Sequence, residues 1–455
     1  MGRDAVSGLT GNFYGMCSGM TAEFHDVGNS PPPGKGKPLT YWLTEYLNSY
    51  VAKGPSDDPI TFGDLWGTRD PSGPRAVNLE MMTTCLTHGR PYQLPFREDE
   101  DIRENSQFLF RRDEFDRLFP KSVVDWMASH PRPISPHDVA RMQVLKEQGY
   151  FPLPDPAELP IVAAVRMSLS FPVLLSAVPL HGIDWVRDPQ GLNPEKCWFT
   201  DGGVCSNFPV HFFDSPIPGW PTLGINLVDK PSGTKSADLL KPEMPMSNSA
   251  GIRESWKLFE VNAIANSSHR QVQVQSKSGL FRLLSFVGAF IDTMQNWTDN
   301  VQSRLPGYRD RIAAVGLTPE EGGLNLNMPA QRIEDFSARG AAAAYEFIDR
   351  FGFPAVNPKM NWSNHRWIRM RTCLASLEEF ALALEGTYDH PQDGDQGYGA
   401  WIAATPPDKA PSYEWTSDQR DIARQAIEAL RGAVKVTTPS KAALVAGSPR
   451  PRPRL

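Results

Sequence analysis

Short alternating apolar segments separated by stretches of helical period predict an α/β sheet flanked by helices, with a helical C-terminal extension. Three observations carry this reading. Residues 76–82 alternate, with Val77, Leu79 and Met81 set against Asn78 and Glu80. Residues 157–170 are apolar on most sides of a helix, which marks a buried one. Beyond residue 230 a Pro/Ser/Lys-rich loop over 230–249 is followed by segments of helical period only.

The elements follow in order. Residues 31–38 are a Pro/Gly/Lys loop, and 39–51 a helix with Trp42, Leu43, Tyr46 and Leu47 on one face. Residues 61–65 open a turn. Residues 76–82 and the alternating Tyr92, Leu94 and Phe96 flank the turn His88-Gly89-Arg90-Pro91, which reads as a β-hairpin. Residues 108–110 are a short apolar strand, and Asp113 is placed to cap a helix after it. Further helices are expected over 120–129 and over 138–148, the second closed by Gly149. Residues 196–200 and 223–227 read as buried strands. In the extension, helices are expected over 280–296, 333–351 and 367–384, and the chain ends in a basic tail. The organisation is therefore a sheet-bearing region over 1–230, a mostly helical extension over 231–430 and a tail over 431–455.

Composition excludes several functions. Lys+Arg 46 against Asp+Glu 52 leaves a net charge of −6, so no basic face is available to neutralise phosphates and nucleic acid is not an expected partner. Five cysteines without a C-x-x-C pair are no disulfide framework, which reads as a reducing, cytoplasmic setting. No H-x-x-x-H or H-E-x-x-H spacing occurs, so no metal is expected, and the turn residue His88 is expected to be solvated. The apolar stretch 159–180 carries Arg166, Pro172 and Pro179, and 283–291 is too short to span a bilayer, so a soluble chain is expected.

The sharpest chemical signal is Asp201-Gly202-Gly203 at the end of the strand over 196–200. Open α/β sheets place their sites at the carboxyl ends of strands, and two glycines permit a tight turn and a close approach. Arg166 lies upstream on the apolar helix. A buried arginine needs a partner, so it either pairs with a carboxylate as part of the scaffold or lies near the site.

Ala164-Val165-Arg166-Met167-Ser168-Leu169-Ser170-Phe171-Pro172, followed by Thr200-Asp201-Gly202-Gly203-Val204-Cys205-Ser206-Asn207-Phe208-Pro209, resembles the second half of a patatin-like phospholipase domain. Thr83-Thr84-Cys85-Leu86-Thr87-His88-Gly89-Arg90-Pro91 is similar to the larger bacterial branch of that family. The resemblance implies an open, mostly parallel sheet flanked by helices, here incomplete at the N-terminus. It implies phospholipase A-type hydrolysis of a lipid or fatty-acyl ester by a Ser–Asp dyad, without cofactor or metal. Asp201 matches the base that takes the serine proton. Peripheral contact with a membrane goes with such a substrate, and the apolar face of 280–297 reads either as core or as a membrane-surface helix.

The sequence departs from that pattern in one respect. No G-x-S-x-G occurs in it, and no glycine-rich oxyanion loop precedes residue 60. The chain is accordingly expected to be truncated at its N-terminus and inactive as it stands. Gly15-Met16-Cys17-Ser18-Gly19 is a G-x-C-x-G near miss, with Cys17 at its centre and Ser18 beside it. Two alternatives follow: a thiol hydrolase using Cys17, or a non-catalytic module that binds lipid or protein. The bland reading of the near miss is a Gly-rich helix boundary.

Overall fold

The computed structural model describes residues 2–21, 36–51, 57–70, 73–96, 108–245, 307–318, 321, 328–352, 356–357, 360–388, 398–403 and 415–437. The helix expected over 280–296, the basic tail beyond 437 and most of the proline loop over 31–38 lie outside them. The chain divides into two compact units, the first reaching to Pro209 and the second beginning at Val210.

The first unit is built on a six-stranded sheet. Its strands are β2 (Met81–Cys85), β3 (Arg90–Leu94), β4 (Leu109–Arg111), β5 (Tyr150–Pro152), β7 (Val178–Gly182) and β8 (Glu195–Asp201), in the order β3-β2-β8-β7-β4-β5. Every pairing in it is antiparallel. Among the described residues, parallel pairing is found for β1 (Gly15–Cys17) with β6 (Val173–Leu175) and for one strand pair of the second unit. The α/β class holds, and the pairing expected to be mostly parallel is mixed: parallel in the two small strand pairs and antiparallel in the six-stranded sheet. For β2 and β3 the connection dictates this, since the turn at 86–89 has no room for the crossover that parallel neighbours require.

The hairpin forms where it is expected, but its first strand runs over Met81–Cys85, several residues later than the alternation at 76–82 suggests. Helix α7 (Ile161–Ser168) is as buried as its composition predicts, with Ile161, Val162, Ala163, Ala164 and Met167 all in the core. It packs against β2 and β8. Helix α2 (Leu39–Ser49) packs on α7 in turn. The expected turn at 61–65 is a short helix, α3 (Phe62–Trp66), opened by a capping box between Thr61 and Asp64 and closed by Gly67 at φ +70°. Helices α5 (Lys121–Ser129) and α6 (Val139–Glu147) form where they are expected.

On β8, Cys197 and Phe199 are buried in the core, Lys196 is exposed, and Trp198 is half-buried against Phe13. Phe199 is fully buried among Tyr92, Phe96 and Phe108, the last edge-on at 5.1 Å. Burial of such a side chain is worth roughly 1.5–3 kcal/mol.

The second unit holds β9 (Gly224–Asp229) and β10 (Ile312–Leu317), paired in parallel. The strand expected at 223–227 is thus found, and its partner is the run Ile312-Ala-Ala-Val-Gly-Leu, which reading by period alone passes over. The helix Ala330–Phe351 covers β10 through Ala343, Phe347 and Phe351. Glu321 accepts a two-pronged ion pair from Arg339, with bonds of 2.8 and 3.0 Å. Asp214 meets both Arg311 and Arg369 at 3.0 Å. The helices Trp362–Tyr388 and Ser417–Thr437 pack together. Among the described residues no helix is long and apolar enough to cross a membrane.

Candidate active site

Asp201 closes β8, as the strand-then-glycine pattern predicts. Its backbone N–H donates to the Ser170 carbonyl at 3.0 Å, and the Thr200 hydroxyl donates to the same carbonyl at 2.6 Å. The end of β8 is thereby fastened to the chain leaving α7. The backbone then turns through a short 3-10 segment, Gly202–Val204, and the Gly203 N–H donates to Asp201 Oδ1 at 2.6 Å.

Both glycines are dictated by space. A Cβ on Gly202 would lie 2.2 Å from the Met82 carbonyl oxygen of β2. A Cβ on Gly203 would lie 2.4 Å from Asn207 Oδ1 and 2.8 Å from Asp201 Oδ1. The dipeptide lets the turn press against a neighbouring strand while leaving the carboxylate at its mouth. Asp201 is half-buried. Burial pushes its carboxyl pKa up and the Gly203 N–H pulls it down, and burial wins. Oδ2 accepts no hydrogen bond among the described residues.

Arg166 is fully buried on α7. Its Nη1 donates to the Ser170 hydroxyl, and its Nη2 donates to the carbonyls of Ser18 and Ser176, each at 3.0 Å. No carboxylate pairs with it among the described residues, so the carboxylate partner of the sequence reading is replaced by a clamp on oxygen dipoles. Nε is buried without a partner. Burial pushes the guanidinium pKa down to about 10, which leaves it charged at neutral pH.

Cys17 ends β1 and is exposed. The Ser176 N–H donates to its carbonyl at 2.9 Å. A Cβ on Gly15 would lie 2.1 Å from Ser176 N, so a glycine is needed where β1 runs beside β6. After Cys17 the chain turns: the Ser18 hydroxyl donates to the Met20 carbonyl at 2.6 Å, and Gly19 takes φ +82°. The G-x-C-x-G near miss is therefore a strand followed by a turn, not a helix boundary.

One hydrogen-bonded path joins these predicted residues. Asp201 binds the Ser170 carbonyl, the Ser170 hydroxyl takes Arg166, and Arg166 holds Ser18, the residue after Cys17. Ser170 lies within the motif segment, but its bridging role has no signature there. Ser176 leaves no signal in the sequence at all.

The described residues thus bring together a half-buried carboxylate at the end of a strand, a glycine turn behind it and a buried arginine on the adjoining helix. Residues 20–214 match the family model described as patatin-like phospholipase. A protein of Rhizobium meliloti (strain 1021) described as "RpoH suppressor" is 34% identical over 494 aligned positions, covering 98% of this chain and 70% of that protein. The chain belongs to the patatin-like phospholipase family. No solved structure matches it.

Proposed function

We propose that this chain serves the hydrolysis of lipid acyl esters, with Asp201 as the general base toward a serine hydroxyl. The observation that carries the proposal is the state of Asp201: half-buried at a strand end, its pKa raised by burial, one oxygen held by Gly203 and the other open. A carboxylate raised toward neutrality is a better proton acceptor than a solvated one. Family membership supports a lipid substrate. The net charge of −6 supports a partner other than nucleic acid.

On this reading the region over 1–230 is the base-bearing part of the hydrolase and 231–430 an extension to it. Because the sequence contains no G-x-S-x-G, the chain alone has a base with nothing to activate. Without a nucleophile for the base to deprotonate, the chain alone leaves esters at background hydrolysis. A second reading has one observation in its favour. Cys17 stands exposed at a strand end before a tight turn, the position an activated nucleophile takes.

The test is hydrolysis of a p-nitrophenyl ester and of a phosphatidylcholine, by the chain alone and by the chain co-expressed with a family segment carrying G-x-S-x-G. Background rates are expected for the chain alone, and turnover that vanishes with Asp201→Asn for the pair. Turnover that survives Asp201→Asn overturns the proposal. Turnover by the chain alone that is lost in Cys17→Ala makes Cys17 the nucleophile.

A further inference from the structure

Four residues before Asp201 on β8, Cys197 meets two further donors from the end of β2 and the β2–β3 turn. We infer that Cys85, His88 and Cys197 form a three-ligand site for a thiophilic cation, Zn²⁺ by the chemistry of its donors. The site follows from strand register. β2 and β8 run antiparallel with Cys85 opposite Phe199, so Cys197, two residues along β8, emerges on the same face as Cys85 and diagonal to it. Both thiols are buried.

The hairpin turn brings the third ligand. The Leu86 N–H donates to the Trp198 carbonyl at 2.9 Å, and the Trp198 N–H donates to the Thr87 hydroxyl at 3.0 Å. These bonds extend the β2–β8 pairing into the turn and hold it over β8. Gly89, at φ +64°, then reverses the chain. His88 is left with Nε2 3.5 Å from Cys197 Sγ, and the three ligand atoms all lie within 4.8 Å of one another. A tetrahedral zinc with bonds of about 2.3 Å to sulfur and about 2.0–2.1 Å to nitrogen sets its ligand atoms roughly 3.5–3.8 Å apart. The observed spacing therefore needs little rearrangement to close on an ion.

The surroundings are those of an oriented ligand. Nδ1 of His88 is 2.6 Å from the Tyr92 hydroxyl, which also accepts from Arg90 Nε at 3.0 Å. With Nδ1 engaged, Nε2 is the nitrogen that faces the thiols, the arrangement that fixes a metal-bound imidazole. The His88 ring stacks on Phe108 at 5.9 Å. Two thiols and an imidazole with no carboxylate select zinc over magnesium or calcium. The exposure of His88 leaves a fourth position open to water or a small ligand. The chemistry is separate from the proposed acyl-ester reaction and does not depend on it.

The experiment uses the full chain, reduced and freed of metal, titrated with Zn²⁺ against a chromophoric chelator and with Co²⁺ as an optical probe. One equivalent per chain is expected, with the thiolate-to-cobalt charge-transfer band and the intense visible bands of a tetrahedral centre. Cys85→Ser and Cys197→Ser should abolish that band. His88→Ala changes only an exposed turn residue, and should weaken zinc binding at least tenfold while leaving the circular dichroism of the chain unaltered. Tyr92→Phe keeps all three ligands and should weaken it about 10–100-fold. The inference is overturned if the reduced chain binds no zinc, if binding is indifferent to His88→Ala and the cysteine variants, or if Cys85 and Cys197 close into a disulfide when zinc is present in excess.

Discussion

Asp201 has an unusual energetic position for a side chain in a folded protein. A carboxyl whose folded-state pKa lies above its unfolded value costs the fold free energy once the unfolded chain ionises. That cost is absent below about pH 4 and complete above the folded pKa. The substitution Asp201→Asn keeps an oxygen to accept from Gly203 and sheds the charge. The melting temperature of this variant is therefore expected to equal or exceed that of the parent at pH 7, and the difference to close below about pH 4. A markedly less stable Asp201→Asn chain at pH 7 would make Asp201 a structural residue. Arg166 is the opposite case. Its guanidinium spans oxygens of Ser170, Ser18 and Ser176 that a single ammonium cannot reach together. Hydrogen bonds to charged groups contribute about 1.5–3 kcal/mol each, so Arg166→Lys is expected to cost about 2–4 kcal/mol. The urea midpoint reads this directly, and an unchanged midpoint would show that the clamp contributes nothing.

Among the elements, β6 is strained. Val173, a β-branched residue, takes φ +70° where β6 pairs with β1, and its side chain is 57% exposed. Such a conformation costs of order 1–3 kcal/mol, while glycine gives back roughly 0.5–1 kcal/mol through chain entropy. Val173→Gly is therefore expected to stabilise the protein by about 0.5–2 kcal/mol, measured by urea unfolding. A destabilised variant would show that the valine side chain contributes packing its exposure does not suggest. Elements with a clear local pattern were legible in the sequence: α2 and α5, α6 by its closing Gly149, the buried α7, and β8 running into its glycines. The pair β1–β6 was not. Three residues per strand are too few to show a period, and Gly15 reads as a helix boundary until Ser176 is seen to occupy the space beside it.

At the scale of the whole molecule the two units rest on different balances. The first is organised around a large apolar cluster that includes Phe62, Trp66, Phe110, Phe115, Phe119 and Phe199. The second has a small one and several buried ion pairs. Hydrogen bonds from Arg339 hold the Glu321 carboxyl down to about 2. Burial pushes Asp310 up, but the hydrogen bond and charge of His365, the Asp310 backbone N–H and the charge of Arg311 together outweigh this and hold it below the usual range. A depressed carboxyl contributes stability that is present above its unfolded pKa, near 4, and is lost as pH falls through the folded value. Hydrogen exchange followed by mass spectrometry should therefore show Ile312–Leu317 and Ala330–Phe351 losing protection between about pH 4.5 and pH 2. In Glu321→Gln these segments should be less protected at pH 7 and change less across that window. Flat protection in the parent chain would rule the ion pairs out as the acid-sensitive element.

What the sequence determined by itself is what neighbouring residues decide among themselves: the α/β class, the buried helix bearing Arg166, and the strand that delivers Asp201 to a glycine turn. What only the tertiary structure decided is which distant segments meet. The pairing direction of the six-stranded sheet, the carbonyls of Ser18 and Ser176 that hold Arg166, and the approach of Cys197 to Cys85 and His88 all join residues far apart in the chain. Periodicity reports which face of a segment is buried. It carries no information about the partner on the other side of that face, because the partner is chosen by packing and register across the whole unit.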